Sequence, residues 1–338
     1  MKSQYTDVIN SNRPGLSVSA YAVGKNVIQA ELGLFYEQSD HTLLNTQSDI
    51  WGTDISLRYG LLFERLELNY EGSFQDQEIL FSNFNTTEKR TDFSRNRLGL
   101  KFLIYDPFKN PEKNKPNLYS WRANNKFQLK NLLPAVSIYA GANFVLGENP
   151  YYPGEAAISP RVMLATQSRL TPRFVMITNL AYDRIGTDSP EMSYIISLSH
   201  AFRNPKWSAF IEHQGIESDR YSDVLVRGGI AHLLNERLQV DFNLGASFKN
   251  TPSRVFVSAG GSYRFDFHKD SLVPIEDQDA DENGGAIEKN AMKKNKKKKR
   301  KNKGSGAEDI DLGPSKKQLR KLKKAKKNKK KDSGEIEF

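Results

Sequence analysis

Val27 Ile28 Gln29 Ala30 Glu31 Leu32 Gly33 Leu34 Phe35 Tyr36 Glu37 changes polarity at almost every step. Ile28, Ala30, Leu32, Leu34 and Tyr36 share one face of an extended chain, and Gln29, Glu31, Gly33, Phe35 and Glu37 share the other, because successive β side chains point to opposite sides. The alternation persists for about 10 residues, the span of a tilted strand that crosses a bilayer. Strands of soluble sheets usually run to about 5 or 6. One face suits lipid and the other suits water.

The pattern recurs along the chain. Trp51, Thr53, Ile55, Leu57 and Tyr59 oppose Gly52, Asp54, Ser56, Arg58 and Gly60. Leu66, Leu68, Tyr70 and Phe74 oppose Arg65, Glu67, Asn69 and Glu71, and Leu98, Leu100, Phe102 and Ile104 oppose Arg97, Gly99 and Lys101. A fifth strand is expected over Val136 to Leu146. Less regular ones follow around Ile158 to Thr166, Phe174 to Tyr182, Tyr194 to Leu198, Trp207 to Ile211 and Val224 to Ile230. Regularity returns from Leu238 to Phe248 and from Val255 to Phe267. The expected fold is all-β: a twelve-stranded antiparallel transmembrane β-barrel over residues 26–268, with a lead-in or lumen plug at 1–25 and a disordered, lysine-rich tail at 269–338. The competing architecture is a soluble β-sandwich.

Connections supply an independent test, since outer-membrane barrels have even strand counts, short periplasmic turns and longer outer loops. With the N-terminus in the periplasm, Leu61 to Glu64, Leu170 to Pro172, Arg203 to Pro205 and Leu234 to Glu236 are periplasmic turns. Residues 38–48, 75–94, 147–156, 184–191 and 215–222 are expected as outer loops. Asp106 to Leu133 breaks the rule with a long periplasmic connection, in which Trp121 to Lys130 is expected as a short helix. Tyr36, Trp51, Phe74, Tyr182 and Tyr194 fall near outer strand ends, and Tyr59, Tyr105, Phe202, Trp207, Tyr263, Phe265 and Phe267 near inner ends. These are the two places where amphipathic rings meet a membrane interface.

Composition is compatible with this reading. A mean hydropathy of -0.63 and a hydrophobic content of 38% exclude membrane-spanning helices, but barrel strands average out to polar values. Cysteine is absent, which excludes a disulfide scaffold, a thiolate metal site and a cysteine nucleophile. Met1 to Thr6 lack the apolar stretch of an export signal, so that signal is expected to have been cleaved, replaced or left outside this numbering. The net charge of +10 is concentrated: residues 269–338 carry 22 basic against 13 acidic side chains, leaving 28 against 27 for the rest. Basicity therefore argues nothing about the barrel, and no nucleic-acid partner is expected.

The inward faces would carry Glu31, Asp54, Arg58, Arg65, Glu67, Glu71, Arg97, Lys101, Arg161, Asp183, Glu212, Arg227, Asp241, Arg254 and Arg264. Charges of both signs facing one another in a narrow lumen pair and hydrogen-bond, because isolation there is costly. They would line a polar permeation path or close the interior with salt bridges. No catalytic constellation appears. None of the histidines His41, His200, His213, His232 and His268 begins a His-x-Ser step, Ser39 and His41 have the reverse spacing but fall in an expected loop, and Glu212 and His213 point to opposite sides. No metal-ligand spacing stands out, no cofactor is expected, and the chain is not read as an enzyme.

Asn12 Arg13 Pro14 Gly15 with Ser17 precedes the first strand. Glu64 Arg65 Leu66 Glu67 Leu68 is echoed at Glu236 Arg237 Leu238 Gln239 Val240 Asp241, and Gly261 Ser262 Tyr263 Arg264 Phe265 closes the last strand. Over residues 11–267 these segments resemble the outer-membrane proteins of the putative MetA-pathway phenol-degradation family. Asn12 stands where that family's segment has Asp. The resemblance implies a twelve-stranded barrel and passage of small organic molecules, a passive transporter. Arg13 and Pro14 belong to the segment expected to fold under or into the lumen, with Arg13 pairing an inward carboxylate.

Beyond His268 come an acidic stretch, Glu276 to Glu282, and a basic one that includes Lys296, Lys297, Lys298, Lys299 and Arg300. A helix over 315–331 is expected, with Leu319 and Leu322 on its apolar side, and the chain ends Ile336 Glu337 Phe338. An even barrel in the bacterial outer membrane puts this tail in the periplasm. The tail is expected to dock a periplasmic protein or peptidoglycan, while the barrel meets outer-membrane lipid and lipopolysaccharide. The alternative function is a non-transporting accessory subunit of an outer-membrane protein assembly or secretion complex, docked through that tail.

Overall fold

Twelve antiparallel strands follow one another in sequence and close on themselves: β1 (Val27–His41), β2 (Thr46–Gly60), β3 (Leu66–Phe81), β4 (Thr86–Tyr105), β5 (Ala135–Phe144), β6 (Ile158–Arg169), β7 (Phe174–Asp183), β8 (Glu191–Ala201), β9 (Trp207–Ser218), β10 (Ser222–Asn235), β11 (Leu238–Ser247) and β12 (Ser253–Asp266). This computed structural model describes residues 8–109, 117–120, 122, 126–147 and 149–268. β1 pairs with both β2 and β12, so no sheet edge remains unpaired. Closure is what allows strands to cross a bilayer, because every backbone N–H and C=O finds a partner within the sheet. The outer surface carries the predicted apolar face, with Leu34, Ile104, Ile196, Ile211 and Leu244 among its exposed side chains. Exposed to water, such a band would be unstable, whereas lipid accommodates it. The protein is an outer-membrane β-barrel.

Pairing fixes which residues face inward together. Gln29 lies opposite Arg58, Arg58 opposite Asn69, Glu67 opposite Lys101, and Lys101 opposite Tyr139, all at one level of the lumen. On the lipid side Tyr36 and Trp51 pack with ring centroids 4.6 Å apart, and Tyr263 and Phe265 with centroids 4.7 Å apart.

The outer connections differ from expectation. The β1–β2, β3–β4 and β9–β10 links are only residues 42–45, 82–85 and 219–221, because the strands continue through most of 38–48, 75–94 and 215–222. Gln75, Gln77 and Ile79 still pair with Asp92, Arg90 and Glu88. Above the bilayer both faces of a hairpin meet water, so the backbone ladder continues after the polarity alternation has stopped. Positive φ at Asn45 and Asn85 turns two of these tight links, a conformation that asparagine tolerates better than most residues. β5 ends at Phe144, short of Leu146. In the long connection, Arg122 is helical and its carbonyl accepts from Lys126 N–H at 3.1 Å, and a 3-10 turn follows at Leu129–Leu132.

Candidate functional site: the plugged lumen

Residues 8–26 thread through the barrel interior without joining the sheet. An irregular backbone at membrane depth has to find hydrogen bonds from the surrounding protein. Here wall side chains provide them, since the wall's own backbone is occupied by the strand ladders. Arg264 donates to the Val8 carbonyl at 3.1 Å, and Gln29 and Arg58 donate to the Asn10 carbonyl at 3.1 and 2.8 Å. Asn12 N–H reaches Glu31, and Leu16 and Ser17 N–H groups reach Glu212. Asn179 clasps Val18 from both sides, accepting from its N–H at 2.7 Å and donating to its carbonyl at 2.9 Å. Lys101 donates to the carbonyls of Ser19 and Tyr21, and Val23 N–H donates to Glu67 at 2.9 Å. Gln239 and Asn243 hold the carbonyls of Arg13 and Pro14. Val18 also packs with Tyr139, Met163 and Ala181, and Ala20 with Leu103 and Ala135. Tyr21 donates its phenol proton to Asp106 at 3.1 Å, and burial pushes that phenol well above its ordinary range.

Arg13 sits at the centre of this segment. Its Nε lies 3.2 Å from both carboxylate oxygens of Asp241, and its Nη2 donates to Asp241 at 3.0 Å and to Ser258 at 3.2 Å. Gly33 and Gly260 make room for the guanidinium, since a Cβ at either position would collide with it.

Ion pairs organise the remaining wall. Toward the periplasm, Glu67 joins Arg58 at 2.9 Å and Lys101 at 3.0 Å, all three side chains fully buried, with Glu31 close by. Across β4 to β7, Asp183 receives both Arg97 and Arg161, and Glu71 lies 3.8 Å from Arg97. Arg227 pairs with Glu212, and Arg254 with Glu37. Nearer the outer mouth Arg184 bridges Glu155 and Glu191. Tyr221, in the β9–β10 link, bonds Asp223 and Arg254, and burial pushes its phenol up to about 12.

Two voids remain. One of about 320 Å³ is lined by Arg13, Phe35, Phe93, Arg95, Arg227 and Phe256 among others. A second of about 200 Å³ is bordered by Asn12, Glu31, Glu71, Arg161, Asn179 and Gln214 among others. Both are lined by Arg13, Gly15 and Leu16 of this segment, and both also meet Asp54, Arg95, Arg97 and Glu191 of the wall.

Register places Glu31, Asp54, Arg58, Glu67, Glu71, Arg97, Lys101, Arg161, Glu212, Arg227, Asp241, Arg254 and Arg264 on the inward face. Arg65 does not join them: it lies in the turn before β3, where its carbonyl accepts from Leu103 N–H. Neutral wall residues escaped the sequence reading. Gln29, Gln167, Asn179, Gln239 and Asn243 hold the plug but carry no charge, and their only signal is an inward amide in mid-strand. Lys296, Lys297, Lys298, Lys299, Arg300, Leu319, Leu322, Ile336, Phe338 and the helix expected at 315–331 lie outside the described residues.

The family described as "Putative MetA-pathway of phenol degradation" matches residues 11–265, from the plug to the end of the last strand. The chain belongs to this family. No curated protein matches it in sequence. Solved structures with a similar barrel include an outer membrane channel from Pseudomonas putida F1, at 10% identity and TM-score 0.46, covering 76% of this chain and 100% of that one. The CymD monoaromatic hydrocarbon channel gives 11% identity and TM-score 0.37, covering 72% and 90%. The transport unit of the autotransporter AIDA-I from Escherichia coli gives 10% identity and TM-score 0.40, covering 77% and 93%. The family's matched span includes both partners of the Arg13–Asp241 ion pair.

Proposed function

We propose that this member of the phenol-degradation family is a passive outer-membrane transporter of small organic solutes, with the segment 8–26 acting as a movable plug. The observation that carries the proposal is the pair of chambers that both adjoin the segment at Arg13, Gly15 and Leu16. A chamber of about 320 Å³ is at the small end of ligand-sized cavities, which run from about 300 to 1,000 Å³. Its lining combines the rings of Phe35, Phe93 and Phe256 with guanidinium groups, which suits a flat apolar solute bearing a hydroxyl or another acceptor. The plug's attachment consists mostly of individual hydrogen bonds from side chains, worth about 1 kcal/mol net from a neutral group and about 1.5 to 3 kcal/mol from a charged one, so it can be exchanged for water step by step.

Liposome swelling tests this with single-ring alcohols and larger sugars as osmolytes. Vesicles containing the protein should swell in the small aromatic solute faster than protein-free vesicles, and the sugars should lag. Equal swelling with and without protein for every solute would remove the transport reading.

A further inference from the structure

Charge is distributed unevenly around the periplasmic rim. From the 3-10 turn to the β10–β11 turn, the described residues outside the strands (126–134, 170–173, 202–206 and 236–237) carry Lys126, Lys130, Arg173, Arg203, Lys206 and Arg237, against the single acid Glu236. All six cations are exposed, and no ion pair among the described residues engages any of them. Among the described residues, the rest of the rim is closer to balance, with Glu64, Asp106 and Asp266 beside Lys25, Arg65, Lys109 and Arg122.

The same arc is rich in exposed apolar groups. Trp207 stacks on His232 at 4.2 Å between centroids, and Phe174 and Phe202 flank His200 at 4.3 and 5.4 Å. Phe127, Leu129, Leu132 and Leu133 are exposed around the 3-10 turn. That turn is tied to the neighbouring β6–β7 region by Asn131 donating to the Leu170 carbonyl at 3.2 Å and Ser168 donating to the Leu132 carbonyl at 2.9 Å. Rings and leucines at this level sit among acyl chains and glycerol, while unpaired cations one turn further out meet headgroups.

We propose that this arc, from the 3-10 turn to the β10–β11 turn, is a binding site for anionic phospholipid headgroups of the periplasmic leaflet. The ligand chemistry is a phosphodiester bearing net negative charge, and the apolar residues behind it take its acyl chains. Peptidoglycan carboxylates lack the acyl chains that the exposed rings and leucines would cover. The arc gives the barrel a lipid-selective side, independent of whether the lumen conducts.

Trp207 is a reporter inside the arc. With Trp51→Phe and Trp121→Phe in the full chain it becomes the sole tryptophan, since the sequence contains three. The protein is reconstituted in dioleoylphosphatidylcholine vesicles containing an equal minor fraction of either brominated phosphatidylglycerol or brominated phosphatidylcholine. Quenching should report a preference of about fivefold for phosphatidylglycerol, the effect of roughly one net cation at the surface and a lower bound for the arc. Lys126→Gln, Lys130→Gln, Arg173→Gln, Arg203→Gln, Lys206→Gln and Arg237→Gln together should bring the ratio to about one, while Lys25→Gln with Lys109→Gln on the other side of the rim should leave it unchanged. A ratio near one in the parent overturns the proposal. So does a ratio that survives the six substitutions, which would place the preference outside the arc.

Discussion

Arg13→Ala removes a group that lines both chambers, and its effect can be sized from the contacts it makes. Arg13 offers Asp241 a forked pair of charged hydrogen bonds at 3.0 to 3.2 Å, and the Asp241 side chain is fully buried beneath it. Breaking a buried pair costs about 3 to 5 kcal/mol when the remaining charge stays buried. In this lumen the abandoned carboxylate can be relieved if the plug leaves and water enters, so the loss falls on the closed state. Taking about 3 kcal/mol as the differential, the closed-to-open ratio falls by about two powers of ten. In planar bilayers the Arg13→Ala protein should therefore show much greater open occupancy than the parent at the same voltage. Arg13→Lys, which keeps the charge but loses the planar fork, should lie between them. Identical traces for all three, with each protein folded by heat-modifiable gel mobility, would refute a latch at Arg13.

Other consequences are independent of gating. Glu67→Gln leaves Arg58 and Lys101 buried without their shared counter-charge and should lower barrel stability by about 3 to 5 kcal/mol, read from urea unfolding in detergent. Gly60→Ala would drive a methyl group into the Gly24 carbonyl where the plug joins β1, so protection of residues 8–26 from proteolysis should fall while the barrel persists. Ile196→Arg, midway along β8 on the lipid face, should cost about 2 to 4 kcal/mol in folding into vesicles. Deleting residues 269–338 tests the proposed periplasmic docking role of the tail: the barrel should fold as before but lose co-purifying periplasmic protein or cell wall, and an unchanged set of partners would end that idea.

How much of this was legible in the sequence depended on whether a residue's two neighbours faced different solvents. β1, β2, β11 and β12 were readable because lipid and lumen impose opposite polarities on successive positions, as at Leu32 and Gly33. The outer half of the β3–β4 hairpin was not, because Gln75 to Leu80 and Thr87 to Asp92 stand in water on both sides, where backbone pairing and polar contacts such as Lys89–Asp76 at 3.0 Å hold them without any alternation of polarity. Charged lumen residues were visible as inward Asp, Glu, Arg and Lys, but sequence could not say which pairs would meet. Arg13 reaches Asp241 across 228 positions, and Asp183 is shared by arginines from β4 and β6. Arg65 has the right parity for the lumen and still falls in a turn, because parity does not mark where a strand begins.

The central claim is that the lumen is a solute path closed by residues 8–26. Single-channel recording of the full chain against a form lacking residues 8–24 tests it most directly, with both proteins confirmed as folded barrels. The full chain should show rare, small openings, and the shortened form a sustained, larger conductance. A deletion protein that conducts no better than the parent would contradict it.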